Sequence, residues 1–176
     1  GQVWMDGYTD RDELDINIDG GRFVNTGIFN GDADIDIHDG QVLLAAGGAD
    51  FILRDGSSLE IHGEDADVGF GHDTIGLSSV MLMDADADLV FSAESGEGLS
   101  TIEEINTGRF EGDVQSGVNF GGGNLVVNVA ELASGTHRLV DVDEIIGSFG
   151  DIDINGLGTS RNALINIDYE NDRVDL

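Results

Sequence analysis

A chain of 176 residues with 40% hydrophobic content is long enough for one folded domain and too apolar to be disordered. Thirty-six acids face seven bases, all Arg, giving a net charge of −29. That balance excludes the basic patch nucleic-acid binding requires and disfavours anionic membrane surfaces and polyanionic substrates. Disulfides, thiol catalysis and Cys-ligated zinc are excluded by the absence of Cys, and no apolar run is long enough for a membrane-spanning helix.

Twenty-five Asp and 27 Gly with no Pro describe many turns built from Gly, Asp and Asn. The sequence starts at Gly1 without a visible signal peptide, which reads as a mature or excised piece. Residues 1–13 carry no clear period and are taken as an N-terminal segment or cap. Val3, Trp4 and Met5 give that segment an apolar contact surface.

Residues 14–95 repeat. Ala-Asp followed by an apolar residue recurs at Ala33, Ala49, Ala66 and Ala87, in steps of 16, 17 and 21 residues. Each copy reads as a strand, an Asp-Gly or His-Asp turn, a second strand and a Gly/Asp-rich turn. The strands alternate, as in Leu14, Ile16 and Ile18, or Leu59 and Ile61, so one face points in and the other out. Units this short hold neither a packed helix nor a four-stranded propeller blade. The predicted fold is all-β: a single-stranded parallel β-helix (β-solenoid) with irregular C-terminal rungs or cap, favoured over an antiparallel sandwich of hairpins. Residues 96–123 are expected to form an irregular rung ending in the Gly121–Gly123 loop, and residues 124–176, with strands such as Leu125–Val129 and Arg173–Leu176, the C-terminal rungs or cap.

The stretch Gly135–Phe149, the Gly-rich turn Ile154–Gly158 and the closing ALINIDYENDRVDL resemble the final rungs of autotransporter-type passenger domains and related large secreted bacterial β-helix proteins. The DGSSLEI stretch from Asp55 to Ile61 resembles their coils. No membrane-barrel translocator segment accompanies them. The resemblance implies a right-handed β-helix, an extracellular or cell-surface location on a bacterium, and adhesion or scaffolding more than catalysis.

Aspartates carry the candidate chemistry. Asp15, Asn17 and Asp19, then Asp32, Asp34 and Asp36, then Asp151, Asp153 and Asn155 form clusters that are candidate calcium ligands, and of these Asp15–Gly20 and Asp151–Gly156 imitate the start of a calcium loop. Thr26 and Asn162 stand where an EF-hand needs a bidentate Glu, and intervening Ile residues favour strands. These acids therefore read first as the solvated face of alternating strands and second as calcium ligands, with no cofactor required. His38-Asp39 and His72-Asp73 read as polar turns. Among 36 acids some pair will fall at glycosidase spacing by chance, so pairing alone signals no enzyme. The expected function is a non-enzymatic structural or adhesive surface module. It would pair end to end with like subunits, through Val3, Trp4, Met5, Val174 and Leu176, or bind a host or cell-surface component. A phage or viral fibre module and a polysaccharide lyase or hydrolase are the alternatives.

Overall fold

Between Ala33 and Ile37 every second side chain is buried, and Asp34 and Asp36 between them face outward. The same alternation governs Ser58–His62 and Asn124–Asn128. The protein is described by a computed structural model at residues 1–9, 14–46, 48–71, 79–94, 97–105, 116–130 and 132–176. The described residues contain strands and no helix. In chain order the strands are β1 (Gln2–Met5), β2 (Tyr8–Thr9), β3 (Leu14–Asn25), β4 (Phe29–Gly31), β5 (Ala33–Ala46), β6 (Asp50–Leu53), β7 (Ser58–His62), β8 (Ala66–Gly71) and β9 (Ser79–Met83). They continue as β10 (Asp88–Ser92), β11 (Ile102–Ile105), β12 (Ser116–Asn119), β13 (Asn124–Asn128), β14 (Arg138–Asp141), β15 (Glu144–Ile146), β16 (Ile152–Asn155), β17 (Asn166–Asp168) and β18 (Arg173–Asp175).

Two sheets result. The smaller has six parallel strands in the order β15-β12-β9-β6-β4-β2. The larger has twelve, ten of them on the path β16-β13-β10-β7-β5-β8-β11-β14-β18-β17, with β3 and β1 added beside β5. It curls at glycines. Gly20 and Gly21 of β3 have φ of +94° and +90°, and Gly40 of β5 has φ of +97°. A Cβ on Gly40 would lie 2.6 Å from the Gly21 carbonyl oxygen, so only glycine fits this corner. The corner splits the sheet into two arms: Asp34–Ile37 of β5 pairs with β7, whereas Gly40–Ala46 pairs with β8.

This arrangement corrects the expectation of a single-stranded parallel β-helix. The strands belong to two sheets, and the larger is a mixed, curled sheet in which β18 lies antiparallel to β14 and β17 antiparallel to β18. The physical reason lies in what the Ala-Asp marker reports. It opens strands of both sheets: β5 and β10 in one arm of the larger, β8 in the other, β6 in the smaller. It marks strand starts, not stacking partners.

Between the sheets one apolar cluster runs through the molecule. Ile35, Leu59, Leu89 and Leu125 form one column through their strand registers, and Ile37, Ile61, Phe91 and Val127 the next. In the smaller sheet Phe29, Phe51, Met81, Val118 and Ile145 line up likewise, with the Phe29 and Phe51 rings stacked at 4.7 Å. Columns of like residues are what in-register parallel pairing produces, since each inward position meets its equivalent on the neighbouring strand.

Candidate functional site

The outer face of the arm formed by β3, β5, β7, β10, β13 and β16 carries the sequence-predicted acids. Register turns their alternation into ladders. One ladder reads Asp15, Asp34, Ser58, Asp88, Asn124. The next reads Asn17, Asp36, Glu60, Val90, Val126, Asp153. Stacked carboxylates repel, and donors separate many of them. The Ser58 hydroxyl donates to Asp34 Oδ1 at 2.8 Å, and the Asn124 amide to Asp88 Oδ1 at 2.9 Å. Asp19 sits beside Asp39 at the bulge before the corner, Asp32 lies in the link from β4 to β5, and Asp151 precedes β16. The nine predicted calcium ligands are thus spread over strands and links and do not gather in one loop. Among the described residues only Asp36 of the nine joins a group of three potential ligands, with Glu60 and His62.

The histidines form the part of this face that sequence reasoning missed. His38 ends the alternating half of β5, one position past the last registered pair with β7, and its ring stacks on His62 with centroids 4.1 Å apart and planes 14° apart. His72, read with His38 as a polar turn residue, lies outside the described residues. The missed signal is the near-repeat of Ile35-Asp36-Ile37-His38 in Leu59-Glu60-Ile61-His62. His38 Nδ1 is 3.5 Å from Glu94 Oε1, and His62 Nε2 is 3.5 Å from Glu60 Oε1 and 3.9 Å from Asp36 Oδ1.

Glu94 is placed by the chain leaving β10: the Gly63 amide donates to the Ser92 carbonyl at 2.8 Å, and the Ala93 amide to the Asn128 carbonyl at 2.9 Å. Glu60 is held by a relay along the ladder. The Asn155 amide donates to Asn128 Oδ1 (3.2 Å), Asn128 to Ser92 Oγ (2.8 Å), and Ser92 to Glu60 Oε1 (2.9 Å). Next to this group, desolvation and then the charges of Asp65, Glu94 and Glu64 push the Glu97 carboxyl above its ordinary range. Negative charge is in local excess here.

A cavity of about 460 Å³ lies elsewhere, between residues 129–137 and 157–164, with His137 and Arg161 in its wall. His137 Nε2 lies 2.9 Å from the Ala133 carbonyl of its own wall, and Arg161 reaches across to donate to Ser134 Oγ of the other.

The ends of the stack differ in chemistry. At the N-terminal end, among the described residues, β1 pairs only with β3, and β2 only with β4. Val3 and Trp4 are exposed there, and Arg22 lies over the Trp4 ring at 5.8 Å with no ion pair among the described residues. At the other end β16 and β15 are edges, exposing Ile152 and Ile146, with Asp151 and Asp153 beside Ile152. Val174 is fully buried and Leu176 exchanges both backbone hydrogen bonds with His137, so among the described residues the edges left open at this end are β15, β16 and β17. Arg138 bonded to Asp141 and Asp175, with Arg173 near Asp168 and Asp175, fastens β18 over β14. Comparison with known proteins returns no matching family model, no similar curated protein and no similar solved structure.

Proposed function

We propose that this chain is a non-enzymatic structural module of an extracellular bacterial surface, which joins like subunits end to end. The observation that carries the reading is the complementarity of the two ends. The N-terminal edge offers Val3, Trp4 and an Arg22 that has no carboxylate partner among the described residues; the far edge offers Ile152 flanked by Asp151 and Asp153. Open parallel edges are templates for further pairing, and a head-to-tail contact repeats without closing. With a net charge of −29, flank-to-flank association is opposed by repulsion, and β1, which has no acid, is where a second copy approaches at least cost. The bacterial-surface location rests on the passenger-domain resemblance.

Sedimentation velocity and electron microscopy across a concentration series test the reading. Expected are oligomers that lengthen with concentration and shrink when Gln2→Pro removes a donor of the open edge, since the Gly1 and Met5 carbonyls face β3 and the Gln2 backbone amide faces away from it, or when Arg22→Glu reverses the charge. A monomer at every concentration up to millimolar overturns it, and an SDS-resistant trimer replaces it with a fibre module.

A further inference from the structure

The stacked histidines lie on the flank of the molecule, apart from both ends, and their chemistry is not that of an acidic surface alone. We propose that His38, His62 and Glu94 form a binding site for a zinc-class divalent ion, with Glu60 orienting the His62 ring. Neighbouring strands lie about 4.7–4.9 Å apart, and the His38 and His62 ring centroids are 4.1 Å apart, within the reach of two imidazoles to one ion. Nitrogen and oxygen donors about 2.0–2.1 Å from a tetrahedral zinc are separated by about 3.3 Å. His38 Nδ1 and Glu94 Oε1 are already 3.5 Å apart, and the donor atoms of His38, His62 and Glu94 all lie within 4.8 Å of one another. The ring planes, now 14° apart, must splay for both lone pairs to converge. The His38 and His62 side chains, 37% and 20% exposed, have room to do so.

Beyond these three ligands the arrangement matches what metal-binding histidines use. Glu60 lies against His62 Nε2 and is itself fixed by Ser92 and Asn128. A carboxylate held this way sets the ring's orientation and raises its basicity as a ligand. The donor set also discriminates. Calcium and magnesium take oxygen ligands, and two imidazoles give them little. Zinc, copper and nickel accept imidazole readily. Three protein ligands leave the fourth zinc position to water or to a group from a partner.

The test uses the full chain stripped with a chelator and titrated with Zn²⁺ by calorimetry in excess Mg²⁺, which occupies carboxylates that merely attract cations. Co²⁺ absorption spectra report tetrahedral coordination. One saturable Zn²⁺ per chain is expected, lost in His38→Asn and His62→Asn and weakened about 10–100-fold in Glu60→Gln. Circular dichroism checks that each variant is folded; should a histidine variant unfold, the exposed Glu94→Gln decides. No uptake in excess Mg²⁺, or equal uptake by wild type and variants, overturns the proposal. The readout uses monomeric protein at low concentration, so it stands or falls independently of end-to-end pairing.

Discussion

Replacing Phe51 with Ala tests whether the inward columns hold the fold. Phe51 is fully buried in the smaller sheet, its ring stacked on Phe29 at 4.7 Å and its strand position paired with Met81. Truncation removes the transfer free energy of the ring and leaves a void that rigid strands on both sides cannot close, which costs about 3–5 kcal/mol in protein cores. Losing the stacked pair accounts for about 0.5–1.5 kcal/mol beyond area, which places this site toward the upper end. Against a domain stability of about 5–15 kcal/mol, the variant loses a third or more. Phe51→Leu leaves a smaller void and loses less than half as much. Leu164→Ala, at a side chain 78% exposed, is the control and stays within about 0.5 kcal/mol. Urea unfolding followed by circular dichroism measures all three. A Phe51→Ala loss below about 1 kcal/mol, or no larger than that of Leu164→Ala, refutes the reading that the ring columns carry the core.

Two further outcomes follow from the outer face and the C-terminal closure. Ser58→Asp replaces the donor to Asp34 with a charge between Asp34 and Asp88, and is expected to cost about 1–2 kcal/mol at low salt. Molar salt should recover much of that loss through screening, and salt-insensitive destabilisation would refute the electrostatic account of the ladder. Hydrogen bonds from the Asn171 side chain and from the Glu170 and Asn171 amides, with the Arg173 charge, hold the Asp168 carboxyl below its usual range. Its stabilisation is therefore present above the unfolded carboxylate value and is lost as pH falls through the depressed folded value. Asp168→Asn should lower the melting temperature at neutral pH, and the gap should narrow on acidification. A pH-independent gap would contradict the assignment.

The alternation that buries Ile35, Ile37, Leu59 and Ile61 could be read from sequence because period two is a local property of strands. Stacking was not legible in the same way. The Ala-Asp steps of 16, 17 and 21 residues suggested adjacent copies. The true neighbours are further apart: Ser58 meets Asp34 at a separation of 24 residues, Asn124 meets Asp88 at 36, and Asn155 meets Asn128 at 27. Such unequal spacing arises because the strands linking successive members of a ladder belong to the other arm and the other sheet. The His38–His62 pair is hidden for the same reason, since the His-Asp dipeptides at His38 and His72 read as polar turns and say nothing of a neighbour 24 residues away. The acids of these clusters alternate with buried residues along their strands, but which acids meet, and which are separated by Ser58 or Asn124, depends on register and not on the clusters themselves.

The unequal fastening of the two ends has a mechanical consequence. Each strand is tied to those before and after it in the stack, so a load applied at the termini is passed along the ladder one strand at a time. The two-residue β2 and the exposed β1 give way first, whereas the antiparallel clasp of β18 on β14, locked by Arg138 between Asp141 and Asp175, resists peeling. Under tension the molecule unzips with a direction, from its Trp4 end toward its Arg138 end.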